Sequence, residues 1–268
     1  MRRTSAILGA VLFAAMVTVN GLANGLPLNG VNTGRLSDEL PNLFVPAGLT
    51  FAIWGLIYAL LLGYVVAVLR EAFREDGDAM WSPADGWIFS LNAALNAAWI
   101  FAWHWRLVPL SLLIMLGILA TLIALVERMH RRGPPGASVG RMRRFLLRTP
   151  IRVYLGWICV ATIANATAML VKAGWHGGGI DPIAWTVTVI LVGAAIGAAL
   201  VVRRSAVSAG LVVLWAYAGI ILKRAQVGGD AAWPVIAAAA AGGLAVAGAI
   251  AVRILRARRV IPSGEKGR

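Results

Sequence analysis

Negative charge is scarce in this chain: 11 acidic residues stand against 25 lysines and arginines, with three histidines and one cysteine. The lone Cys159 excludes an internal disulfide and argues against redox chemistry. His104, His130 and His176 have no second His, Cys or carboxylate at ligand spacing, so no metal site is expected and no catalytic residues are assigned. No Asp, Glu, Lys or Arg falls in the middle of any long apolar run. Proton-coupled transporters, ion pumps and voltage sensors need buried ionisable groups, so that absence counts against them.

What the chain has in abundance is apolar length. Hydrophobic residues make up 60% of 268 positions and charged residues 13%, the balance of a polytopic membrane protein. About 20 apolar residues cross a bilayer core. Eight stretches reach or approach that length, near 5–23, 47–69, 86–104, 107–127, 151–172, 183–202, 206–222 and 232–252. The expected fold is all-α, a transmembrane bundle of about eight helices.

The net charge of +14 does not call for nucleic acid. Assigning alternate loops to the cytoplasm places twenty basic residues there, from Arg2 and Arg3 through the cluster at 128–152 to Arg253–Arg259, Lys266 and Arg268. The other side keeps five: Arg35, Arg106, Lys172, Lys223 and Arg224. This positive-inside bias puts both termini in the cytoplasm of a bacterial-type inner or plasma membrane and makes anionic lipids the expected partners of these arginines. Arg2 and Arg3, the following apolar run and the small residues at Gly21–Ala23 also fit a signal peptide. Retention as a first spanning helix is preferred, because removal leaves an odd helix count and strips the bundle of a wall.

Between the spans, residues 24–45 form the long outer loop, with Asn29, Asn32, Gly34, Asp38, Pro41 and Asn42 as turn formers and a length suited to covering a site. Residues 128–148, with Gly133, Pro134, Pro135 and Gly136, read as a flexible basic connector. After Val171 the composition shifts to Ala, Val, Leu and Gly, and Gly193, Gly197, Gly242, Gly243 and Gly248 are small positions that let helices approach closely.

Three of the spans carry aromatic and amide side chains at helical offsets: Trp54 and Tyr58, then Asn92, Asn96, Trp99 and Trp103, then Tyr154, Trp157 and Asn165. Such offsets keep side chains on one helix face, and three faces can meet around one pocket. Of the other tryptophans, Trp81, Trp87, Trp105, Trp175, Trp185 and Trp233 fall near helix ends and read as an interfacial belt. Trp54, Trp99, Trp157 and Trp215 lie deeper, where an indole N–H needs a partner. Asn96 and Asn165 have the same need, which hydrogen bonds between helices would also meet. His104, beside Trp103 and Trp105, reads as an interfacial histidine or a ligand contact.

These residues resemble the tryptophan-rich sensory protein or translocator protein family (TspO/MBR). Pro46, Phe51, Trp54, Tyr58 and Gly63 match its second helix; Leu95, Asn96 and Trp99 match the Leu-Asn-x-x-Trp of its third; Pro150, Tyr154, Trp157, Ala161 and Asn165 match its fifth. The chain departs from the pattern in having no Trp between Asn24 and Ile53, Ile53 before Trp54, and a wider Pro150–Tyr154 spacing. The resemblance covers about residues 5–172, which divides the chain into a five-helix membrane domain at 1–172 and three additional helices with a basic tail at 173–268.

The resemblance implies a cavity under the first outer loop that binds porphyrins, haem among them, or sterol-like lipids as ligands, with no resident cofactor. It implies that Trp54, Tyr58, Asn96, Trp99, Trp157, Ala161 and Asn165 line that cavity, with Phe51 and Tyr154 in the same motifs; Asn92 and Trp103 join them from helical phase alone. Homodimerisation is a further implication. The leading expectation is a binding or sensory protein for a flat hydrophobic molecule. A small-molecule permease is the first alternative, for which no internal repeat is visible. The second is a porphyrin-degrading enzyme, for which no acid–base pair is visible.

Overall fold

A computed structural model of the protein describes residues 1–26, 28–31, 33–74, 80–134, 136, 139–175 and 177–259. Asn32, Pro135, His176, Lys266 and Arg268 of the sequence reading lie outside these. Among the described residues every regular element is helical. Eight long helices, α1 (Arg2–Gly25), α3 (Ile53–Phe73), α4 (Pro83–His104), α5 (Val108–Arg131), α6 (Arg141–Lys172), α7 (Pro182–Arg204), α8 (Val207–Val227) and α9 (Ala232–Arg259), are joined by a short α2 (Thr33–Asp38) after the first. Seven of the long helices are apolar and long enough to cross a membrane. The eighth, α4, has the length but carries Asp85, Ser90, Asn92, Asn96 and His104, all of them buried.

The packing makes a ring and an annex. α1 touches α3 and α4, α4 touches α5, α5 touches α6, and α6 returns to α3, which closes a five-helix ring. The last three helices pack on one another and reach the ring mainly through α6 and α8. Glycine makes that junction close: a Cβ at Gly156 of α6 would lie 2.8 Å from the Cα of Ala209 on α8. Within the annex, Gly193 and Gly242 both receive Tyr217, and Gly197 receives Val213. Small residues serve contact here, since dispersion and close packing, not water exclusion, join helices in lipid.

Two boundaries differ from the sequence reading, with physical causes. Residues 128–148 are not one flexible connector: α5 continues to Arg131 and α6 starts at Arg141, ten residues before the expected 151. Pro150 lies inside α6, where a membrane helix tolerates proline because neighbouring groups re-satisfy the backbone. The early turns of α6 are held by charge: Arg143 forms a two-pronged ion pair with buried Glu71 of α3, both contacts at 2.6 Å, and Arg148 donates to the Gly133 carbonyl. The second difference is α2, a helix inside the expected outer loop.

Ion pairs close the same end of the ring. Asp85, only 2% exposed, caps α4 by accepting from the Ser82 backbone N–H at 2.8 Å and also receives Arg128 at 2.6 Å and Arg132. Glu127 receives Arg131 and Arg204. Several of the arginines expected to meet lipid headgroups therefore fasten helix ends to each other.

At the opposite end the annex grips the segment before α3. The Ala47 N–H donates to the Gly219 carbonyl at 3.0 Å, and Trp215 Nε1 donates to the Thr50 carbonyl at 3.0 Å. A Cβ on Gly219 would meet the Thr50 Cβ at 2.9 Å, with the hydroxyl closer still. Gly219→Ala is therefore expected to lower detergent-solubilised stability by about 1–3 kcal/mol through overpacking. Thermal unfolding checks it: adding Thr50→Gly should recover part of the loss, and strictly additive losses would mean that the contact is not tight.

Candidate functional site

The aromatic faces expected on separate helices converge. A cavity near the α2 end of the ring is lined by Phe51 just before α3, Trp54 in its first turn, Trp99 and Trp103 of α4, Met115 of α5, and Trp157, Val160, Ala161, Ala164 and Asn165 of α6. Pro46 and two side chains of α2, Thr33 and Ser37, complete the wall. Offsets of four within α4 and of four and eight within α6 stack these residues on inward faces, as α-helical geometry requires. Trp99 and Trp103 stack at 5.5 Å with 14° between their planes. Trp157 stands edge-on to both Trp54 (6.1 Å, 82°) and Phe51 (5.9 Å, 83°).

The walls are held by hydrogen bonds that bridge helices. Trp99 Nε1 donates to Asn165 Oδ1 at 3.0 Å, and Asn165 Nδ2 donates to Ser111 Oγ at 3.0 Å, tying α4, α6 and α5 together. Deeper, Asn20 Nδ2 of α1 donates to Asn96 Oδ1 at 2.9 Å, and Asn96 Nδ2 donates to the Tyr154 hydroxyl at 2.6 Å. That chain links α1, α4 and α6. Asn92 Nδ2 donates to Thr121 Oγ1 at 2.8 Å and reaches the Ile118 carbonyl, both on α5.

Of the eleven residues expected to line a pocket, Phe51, Trp54, Trp99, Trp103, Trp157, Ala161 and Asn165 do line this cavity. Asn92, Asn96 and Tyr154 stand outside it, engaged between helices as just described. Tyr58 also stands outside, stacked on the back of Trp54 at 5.5 Å. Asn20, Thr33, Ser37 and Ser111 have roles that periodicity did not reveal; a polar residue in an apolar run, as at Asn20 and Ser111, is the signal available for two of them.

Other expectations shift with burial. His104, the last residue of α4, does not line the cavity and is fully buried in the protein, with Nδ1 3.0 Å from the Leu28 carbonyl and Nε2 3.1 Å from Thr33 Oγ1. Because a carbonyl only accepts, Nδ1 donates to Leu28, and Nε2 shares a hydrogen bond with the Thr33 hydroxyl, which can either give or accept. Trp103 Nε1 reaches the Thr33 carbonyl at 3.3 Å, so α4 clips α2 from two side chains. Trp81, expected in the interfacial belt, is buried against Gly86 and Ser5, where α4 meets α1. Trp215, expected at a depth where its N–H needs a partner, donates to the Thr50 carbonyl across the junction of annex and ring, with its side chain 41% exposed. Trp87, Trp105, Trp175 and Trp233 are exposed, as belt residues are.

Chemically, the described lining contains no carboxylate, amine, guanidinium or imidazole. It offers π faces, methyl groups and a few hydroxyl and amide groups. Trp157 Nε1 and the Tyr58 hydroxyl are buried and have no hydrogen-bond partner among the described residues. No three His, Cys, Asp or Glu side chains come together among those residues. The cavity volume is about 50 Å³, well below the roughly 300–1,000 Å³ typical of small-molecule pockets. The aromatic side chains and α2 thus fill most of the space they enclose.

The family of TSPO-like proteins has a model that matches residues 6–253, reaching past the motifs that end near residue 172 and through α7, α8 and most of α9. No curated protein and no solved structure matches the chain. The match spans nearly the whole sequence, and its apolar helices cross a membrane several times: the protein is a multi-pass membrane protein of the TSPO-like family.

Proposed function

We propose that the protein is a membrane receptor or sensor for a flat hydrophobic molecule, a porphyrin-like tetrapyrrole or a sterol-like lipid, held among Phe51, Trp54, Trp99, Trp103 and Trp157. The observation that carries this reading is the cavity itself: five aromatic rings from three walls, no titratable group in the described lining, and the buried indole N–H of Trp157 without a partner. Ring faces favour a planar apolar body through offset and edge contacts. An unpaired N–H in an apolar wall favours an acceptor on that body, since leaving it unmet costs on the order of 1–3 kcal/mol. The missing acid–base pair favours binding over chemical conversion.

The small cavity volume assigns α2 a part. On this reading a macrocycle enters when α2 lifts and the indoles rearrange, and the small volume corresponds to a closed form. The clips from His104 and Trp103 to Thr33 hold that roof down. The sidedness follows the arginine distribution, with α2 on the outer face and both termini in the cytoplasm of a bacterial-type inner membrane. Arginines not engaged in ion pairs would meet anionic lipid at the cytoplasmic face.

Two outcomes are expected. Protoporphyrin added to the purified protein should quench tryptophan fluorescence saturably, and Trp157→Leu should weaken binding about tenfold, or ~1.4 kcal/mol, with helical content unchanged by circular dichroism. Equal affinity in parent and variant would remove the aromatic cavity from consideration. Thr33→Val, which deletes the hydroxyl that meets His104 but keeps the carbonyl that meets Trp103, should raise the association rate several-fold in stopped-flow mixing. An unchanged rate would mean that α2 is not the gate.

A further inference from the structure

A second cavity of about 640 Å³ lies beside the first, where the ring meets the annex. Its walls are the C-terminal turns of α6 and α8, the start of α7, and the chain from Ser37 to Val45. Ser37 borders both cavities. Most of the lining is apolar, including Leu170, Val171, Ile180 and Val227, with Trp175 and Trp185 set edge-to-face at 4.9 Å. The volume lies within the range of sites that take whole small molecules or a lipid chain.

The charged side chains in this wall are Asp38, Lys223 and Arg224. Asp38 and Lys223 pair with each other at 3.1 Å. Arg224 is only 8% exposed, its Nε is buried, and among the described residues its guanidinium has no hydrogen-bond or ion-pair partner. The Asp181 carboxylate is spent on the N-terminus of α7, where it accepts from the Ile183 and Ala184 N–H groups. An arginine in the last turn of a helix gains from the helix dipole, and a solvated one would serve that purpose. Arginine at a membrane-helix end ordinarily extends its head to the water. A guanidinium drawn into a cavity wall without a counter-ion is instead a costly arrangement that an incoming anion would relieve.

We infer that this cavity binds an amphiphile with a single anionic head, carboxylate or phosphate monoester, whose head pairs with Arg224 and whose apolar body lies against Trp175, Trp185 and Val227. The planar guanidinium offers parallel donors to either head group, which is why the two share one site. The site is distinct from the aromatic cavity, with which it shares only Ser37, and the inference does not rest on what binds there.

The test uses the full chain in phosphatidylcholine nanodiscs, titrated with 9,10-dibromostearate and with the neutral dibromostearyl alcohol, since bromine quenches nearby tryptophan. Dibromostearate should quench saturably, and the alcohol should bind at least tenfold more weakly. Arg224→Gln should bring dibromostearate down to the alcohol's affinity, and Arg224→Lys should restore part of it. Trp175→Phe with Trp185→Phe should remove most of the quenching. Lysophosphatidate should displace the probe and inorganic phosphate should not; displacement by inorganic phosphate would reassign the site to a free anion and overturn the amphiphile. Equal dibromostearate affinity in parent and Arg224→Gln, or quenching that survives loss of both tryptophans, would overturn the site. Protoporphyrin quenching by the Arg224→Gln protein should match the parent, which keeps failure here distinct from failure of the aromatic cavity and verifies the variant's fold.

Discussion

The structure depends on one constraint: a polar side chain buried in an apolar bundle must find a partner on another helix or on its own backbone. Asn20, Asn96 and Tyr154 answer it as one chain, and Trp99, Asn165 and Ser111 as another. Each bond joins two helices of the ring, so the pairing requirement fixes which faces meet. Helices in lipid gain little from hydrophobic exclusion, and directional bonds of this kind set register where apolar packing alone would slide. The aromatic cavity follows from that register. Trp99 is pinned by Asn165 and Trp103 by Thr33, and both indoles then present stacked faces to Trp157 across the space between α4 and α6.

The same constraint sorts the polar residues by role. Asn92 and Asn96 have the spacing of site residues but bond to Thr121, Tyr154 and Asn20, so they hold walls, and of their amide groups only the buried Asn92 Oδ1 has no partner among the described residues. Near the cavity, Trp157 Nε1 and the Tyr58 hydroxyl have no partner among the described residues. Arg224 is in the same position in the larger cavity beyond Ser37. Each cavity thus carries an unmet polar atom in its wall, a neutral donor among rings in one and a cation among mostly apolar residues in the other.

Helix number and the inward faces of α3, α4 and α6 were legible in the sequence, because apolar length and 3.6-residue periodicity are local properties. Trp54, Trp99, Trp103, Trp157 and Asn165 all line the cavity from faces that such spacing points to, and Phe51 and Ala161, expected from the family resemblance, join them. What was not legible depends on partners distant in sequence. The extension of α6 back to Arg141 relies on Glu71, seventy positions earlier, and the burial of Trp81 relies on Ser5 and Gly86. The six residues of α2 have no apolar run to announce a helix; His104 and Trp103 pin it from the end of α4. Trp215 sits inside an apolar run, where the need of its indole N–H for a partner is legible; the partner itself, the Thr50 carbonyl 165 positions away, is not.

The central claim, that amide and hydroxyl bonds between helices hold the ring in the register that builds the cavity, is tested most directly by a double-mutant cycle on Asn96 and Tyr154. Unfolding free energies would be compared for the parent, Asn96→Leu, Tyr154→Phe and the pair, in the same detergent. A coupling energy of roughly 0.6–1.7 kcal/mol is expected from bonds of this type between membrane helices. A coupling indistinguishable from zero, with each single variant as stable as the parent, would contradict the account and leave packing alone to explain how the three aromatic faces meet.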